Sequence, residues 1–143
     1  MSTEENKEIA RRVLEEALNK HNMAVVDELV DSSYVYHAPL WELKGQEGYK
    51  QGCTMILTSL PDHHMTFEDI IAEDDKVAMR FTVTGTHTGG DYMGIAATGK
   101  QITMTGIIIS RISGGKIVED WEIVDQLGIM QQLGIIPPMG QGK

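Results

Sequence analysis

The sequence predicts an α+β fold in which N-terminal helices wrap a curved antiparallel sheet. Three observations carry this. Apolar residues recur at helical spacing before Pro61. The period switches to two from Met65 onward. Tight turns at Glu73-Asp74-Asp75-Lys76 and Ser113-Gly114-Gly115-Lys116 then divide the remainder into hairpins. A curved sheet covered by helices leaves a cone-shaped space, which suits an apolar pocket with a few polar groups at its floor.

Taken in order, Ser2 and Glu5 form a capping box. Ile9, Val13, Leu14, Ala17 and Leu18 give the apolar stripe of a helix from about Thr3 to Lys20. Asn22 can cap a second helix over Met23 to Val30, and Tyr34 to His37 is a short extended segment. Pro39 and Gly45 bracket a loop holding Leu40, Trp41 and Leu43. A third helix is expected over Gln46 to Ser59, closed by Pro61. Strands follow near 65–73, 76–87, 100–112 and 116–124. A Gly-rich segment, Thr88 to Gly99, separates the middle two and is a candidate lid over the cavity. Asp125 to Leu133 reads as a terminal helix with Asp125 as its N-cap, and Pro137-Pro138 begins a loose tail over 137–143.

The 143 residues make one domain, 1–143, with room for a real core. A net charge of -9 and scattered Lys and Arg leave no basic stripe for phosphates, so nucleic acid is not an expected partner. No apolar run is long enough to span a membrane, and the acidic start MSTEENKE is unlike a targeting peptide, so a cytoplasmic protein is expected. The single cysteine, Cys53, excludes an intramolecular disulfide and has the surroundings of an inert buried thiol. The nine methionines suit either an ordinary core or an adaptable apolar lining.

Asp120 and Glu122 stand two apart on a strand and share a face, with Ile117, Trp121 and Ile123 on the other. A buried carboxylate gains the pKa of a working general base, and a second acid about 7 Å away raises it further. On a solvated face the same pair would be decoration. His37 and His87 end strand-like segments near Pro or Gly, where an imidazole could polarise a substrate carbonyl. With Glu122 they have the residue types of a His/His/carboxylate metal set, but intervening strands and loops hide their true spacing, the signal is weak, and no metal is expected. Tyr36, Trp41, Tyr49 and Tyr92 are candidate substrate contacts, as are Met104 and Ile108 on the strand before. Alternation puts Tyr34 and Tyr36 on one face and His37 on the other. His63-His64, beside Pro61 and Asp62 in a turn, are expected to face solvent.

The run TGIIISRISGGKIVEDWEIVDQLGIMQQLG resembles the C-terminal signature of the SnoaL-like polyketide (ester) cyclases. Tyr34-Val35-Tyr36-His37-Ala38-Pro39 and Gly85-Thr86-His87-Thr88-Gly89, followed by Met93-Gly94-Ile95, agree with it. The resemblance spans roughly Glu4 to Gly134. It implies the nuclear transport factor 2-like, cystatin-related α+β barrel, usually a homodimer or homotetramer. It also implies cofactor-free ring closure of a small apolar carbonyl compound, by abstraction of an α-proton and an intramolecular aldol step. The family's catalytic Asp falls on Glu122 and its partner His on Ile108, and many members carry His where this chain has Asp120. Asp120, held protonated, would donate to the enolate. Because one fold hosts many chemistries, a non-catalytic binding module and an isomerase or epoxide hydrolase are alternatives. The last would need Arg80 or Arg111 beside an acid.

Overall fold

Ser2 starts the first helix as its sequence promises. Its hydroxyl accepts from the Glu5 N–H at 3.1 Å, and the Glu5 carboxylate accepts from the Ser2 N–H at 3.0 Å. The computed structural model describes residues 2–137, so the expected tail lies outside the described residues beyond Pro137. Helix α1 runs over Thr3–Leu14 and continues as one π-helical segment, Glu15–Asn19. At its end the Asn19 side chain donates to the Met65 carbonyl at 2.9 Å and accepts from the Met65 N–H at 2.8 Å. A side-chain amide thus completes the strand backbone there and ties helix to sheet. Helix α2, Ala24–Leu29, is shorter than the sequence pattern suggests because Val30 already belongs to a strand.

Strands β1 (Val30–His37) and β2 (Glu42–Lys44) precede helix α3 (Gly45–Ser59). Strands β3 (His64–Glu73), β4 (Lys76–Thr86), β5 (Gln101–Ser113) and β6 (Lys116–Val124) follow, and helix α4 (Gln126–Gln132) closes the order. Asp125 caps α4, its carboxylate accepting from the Gly128 N–H at 2.9 Å. The sheet order is β2-β1-β6-β5-β4-β3. The four long strands pair antiparallel, β3 with β4 and β5 with β6 through tight turns and β4 with β5 across the 87–100 segment. Strand β1, however, lies parallel to β6, so the sheet is mixed and open rather than antiparallel throughout. No hairpin joins β1 to β6, so no turn fixes their relative direction.

A bulge in β6 corrects a second expectation. Arg111 pairs with Glu119 but Ile112 pairs with Ile117, which leaves Val118 as an extra residue and flips the strand's facing across it. Ile117 is therefore buried among the core residues, while Trp121 and Ile123 stay on the outer face. Beyond the bulge the period of two holds, and Asp120 and Glu122 both face the concave side. The core lies between that side and the helices, with Val13, Val26, Tyr34, Met79, Phe81 and Ile129 among its fully buried members. Among the described residues, no helix is long and apolar enough to cross a membrane.

Candidate active site

Concave curvature and helix α3 enclose a cavity of about 590 Å³, walled mainly by apolar side chains such as Leu14, Leu18, Phe81, Val83, Met104 and Ile108. Asp120 and Glu122 enter it from β6, and Tyr34 and Tyr36 from β1, where Tyr36 sits opposite Asp120 in the parallel register. The parallel pairing of β1 with β6 is what delivers two phenols to two carboxyls. Tyr34 Oη donates to Asp120 Oδ2 at 2.6 Å, and Ser110 Oγ donates to Asp120 Oδ1 at 2.5 Å. Tyr36 Oη donates to Glu122 Oε1 at 2.5 Å.

Burial pushes the Glu122 carboxyl up to about 7. The Tyr36 hydroxyl offsets part of that rise and the Asp120 charge adds to it. Asp120 is pushed up to about 6, again by burial, with the Ser110 and Tyr34 hydroxyls pulling the other way and Glu119 adding a little. Both Asp120 oxygens are engaged and the residue is 1% exposed, so Asp120 has no free oxygen to offer an enolate. Glu122 has one hydroxyl donor on Oε1, leaving Oε2 toward the cavity. Tyr49 stands nearby with its ring edge against Tyr34, 5.1 Å between centroids. Burial, then the neighbouring Cys53, Asp120 and Glu122, hold its phenol well above the ordinary range. Its hydroxyl has no hydrogen-bond partner among the described residues, which leaves it able to donate to a ligand.

The cavity brings together most of the side chains that the sequence nominates. Tyr36, Trp41, Tyr49, Tyr92, Met104, Ile108, Asp120 and Glu122 all line it. Tyr92 is tied to helix α4 by a 3.3 Å bond from its hydroxyl to Gln126. Cys53 also lines the wall, its thiol pushed up to about 12 chiefly by burial and so held unreactive. Met55, Met65, Met93 and Met104 contribute lining while Met79 is core, so methionine does both jobs.

Two nominated histidines stand elsewhere. His37 faces the outer side of the sheet, because one residue along a strand reverses the face shown by Tyr36. There it stacks on Trp121 and sits 2.7 Å from Glu119 and 3.3 Å from Glu42. His87 is fully buried behind the cavity wall, with Nδ1 3.2 Å from Thr98 Oγ1 and Nε2 3.0 Å from the Gly90 carbonyl. It holds the 88–99 loop in place, and that loop supplies Asp91, Tyr92 and Met93 to the cavity. The arginines are outside as well: Arg80 pairs with Asp69 at 2.6 Å and Arg111 with Glu119 at 3.0 Å. No set of three potential metal ligands exists among the described residues.

His63 is the residue that sequence reasoning misplaced. It is 6% exposed and lines the cavity, whereas its neighbour His64 is exposed. The Pro61-Asp62 turn looks solvent-facing in sequence, but His63 N–H donates to the Leu60 carbonyl at 2.9 Å and draws the chain inward.

Over residues 8–133 the chain matches the family described as SnoaL-like polyketide cyclase. Solved structures show the same architecture. TsrD of Streptomyces laurentii has a TM-score of 0.85 at 26% identity, covering 95% of this chain and 99% of that one. AclR of Streptomyces galilaeus, a proposed hydroxylase, has a TM-score of 0.84 at 26% identity, covering 98% and 87%. IdmH of Streptomyces antibioticus, a proposed polyketide cyclase, has a TM-score of 0.73 at 32% identity, covering 85% and 93%. Among curated proteins, none matches.

Proposed function

Because the chain belongs to the SnoaL-like polyketide cyclase family, we propose that it is an acid–base catalyst that closes a ring in a small, mostly apolar carbonyl compound without a cofactor. Glu122 is the base. Its carboxylate removes a proton from the carbon beside a carbonyl, and the electron pair of that C–H bond moves onto the carbonyl oxygen to give an enolate. The free hydroxyl of Tyr49 donates to that oxygen, in the position the sequence assigns to Asp120. The enolate carbon then bonds to a second carbonyl carbon of the same molecule, and the resulting alkoxide takes its proton back from Glu122. Asp120 is a positioning residue: with Ser110 and Tyr34 it ties the middle of β6 to β5 and β1 and raises the pKa of Glu122 through space.

One observation carries this reading: a carboxyl pushed up to about 7 by burial, in an apolar cavity, with one oxygen unpartnered. A base poised near the working pH is half ionised yet strong enough to take a carbon acid's proton. The inward direction of both acids weighs against a simple binding module, and the outward Arg80 and Arg111 weigh against epoxide hydrolysis. The outer sheet face carries an exposed apolar patch of Ile71, Ile107, Ile109, Trp121 and Ile123, and through it we expect a second copy to pack.

The test is deuterium wash-in from heavy water at the α-carbon of cyclohexanone, followed by NMR. Wild type accelerates the exchange, and Glu122→Gln lowers the enzymic rate by roughly 100- to 10,000-fold. Equal rates in wild type and Glu122→Gln would remove Glu122 as the base.

A further inference from the structure

His63 is a buried polar side chain in the cavity wall, and nothing in the chemistry above uses it. Its Nδ1 is sealed from solvent and has no hydrogen-bond partner. The titratable groups nearby, His64, His21 and Asp62, act on the ring through space, and none of them hydrogen-bonds to it among the described residues. Burial pushes the imidazole down to about 4, so the ring is neutral under ordinary conditions. A neutral ring carries one proton, on one nitrogen. With the proton on Nε2 the sealed Nδ1 keeps its lone pair, and the ring presents one N–H. The ring is therefore a single donor waiting for an uncharged acceptor.

The sheet register fixes how far this donor is from the base. Met65 pairs with Val83 and Val83 with Met104, whereas Glu122 pairs with Ile108 farther along β5. His63 precedes Met65 by two residues. The offset amounts to about 20 Å of strand length, shortened in a straight line by the curl of the sheet. The two polar poles thus stand at different ends of one apolar space.

Building on the role of Glu122, we propose that His63 is a substrate-binding residue that anchors the far end of an elongated, mostly apolar molecule by donating a hydrogen bond to an uncharged oxygen there, a ketone, ester or hydroxyl. The substrate then has its reactive carbonyl at Glu122 and a second oxygen at the opposite end of its carbon skeleton. This anchor fixes which α-carbon reaches the base, since a hydrocarbon-lined space alone lets an apolar chain slide.

The experiment uses cyclohexanones bearing unbranched tails of graded length, each made in two forms, one tail ending in a methyl ketone and the other in plain hydrocarbon. Wild type binds the ketone-ended form about 5- to 10-fold tighter at the tail length that reaches His63. His63→Leu removes that preference, and His63→Gln, which keeps an N–H donor, retains much of it. In wild type, without any substitution, the imidazole ¹⁵N resonances of His63 move with the ketone-ended probe and stay put with its hydrocarbon twin. Equal affinity for the two forms at every length, unmoved His63 resonances, or a preference that survives His63→Leu would each overturn the anchor. Exchange into unsubstituted cyclohexanone, too short to span the cavity, reports on Glu122 in the wild-type protein by itself. Exchange without a tail preference would leave the base standing and the anchor refuted, and a tail preference without exchange would do the reverse.

Discussion

Removing the hydroxyl of Tyr36 takes away the one donor that holds the Glu122 carboxylate against the pull of burial. Tyr36→Phe therefore raises the Glu122 pKa further above about 7 and moves the rising limb of the rate–pH profile to higher pH. A limb that stays put or moves down would show that this contact does not tune the base. Stability follows the same group with a definite sign. The native state holds the Glu122 proton more tightly than the unfolded chain does, so native stability declines as pH rises between about 4.5 and 7 and stays lower beyond. Asp120 acts in the same direction between about 3.8 and 6. Glu122→Gln, which keeps an acceptor for Tyr36, should gain melting temperature relative to wild type as pH goes from 5 to 8. A difference that is flat with pH would contradict the burial of that charge.

Strand β4 hands over to the 88–99 loop at His87, and the loop's docking makes a prediction at the element scale. A Cβ at Gly89 would fall 1.7 Å from the Thr58 carbonyl oxygen, backbone that cannot step aside. Gly89→Ala should cost about 1–3 kcal/mol and loosen the wall that carries Tyr92, which thermal unfolding and amide exchange of the loop would record. An unchanged melting temperature would mean the loop is not held against α3. Elements of this kind also show how far the sequence could be read. The long helices and the four hairpin strands are legible within a few residues, because periodicity and tight turns are local signals. Strand β1 is half hidden, since Asp31-Ser32-Ser33 reads as a polar break although the backbone there is already extended. Its parallel seat beside β6, with the bulge at Val118, depends on partners far away in the chain. At the site, alternation alone gave the shared face of Asp120 and Glu122 and the opposite face of His37. The roles expected of His37 and His87 failed for different reasons. His37 points outward by the very alternation that sends Tyr36 inward, and His87 is absorbed in loop hydrogen bonds that no spacing rule shows. His63 was hidden by the polar turn before it.

At the scale of the molecule, the convex face of the sheet carries large apolar side chains that the described residues leave exposed. Ile107 pairs with Ile123 and Ile109 with Trp121, and Ile71 lies across β4 from them; Ile123 is 67% exposed and Trp121 37%. A contiguous apolar surface of this kind is what a second copy of the chain would cover. Size-exclusion chromatography with light scattering should give a dimer or tetramer, and Ile107→Lys with Ile123→Lys should shift it toward monomer. A monomeric wild type at working concentration would contradict this assembly. The cavity opens on the concave side, opposite that surface. The acid–base chemistry proposed for it rests on a single titrating group. Carboxyl ¹³C NMR of Glu122 across pH 4 to 9 measures that group directly. The expected midpoint is near 7, well above an ordinary glutamate and moved higher in Tyr36→Phe. A midpoint in the ordinary glutamate range, near 4.5, would contradict the poised base and the chemistry built on it.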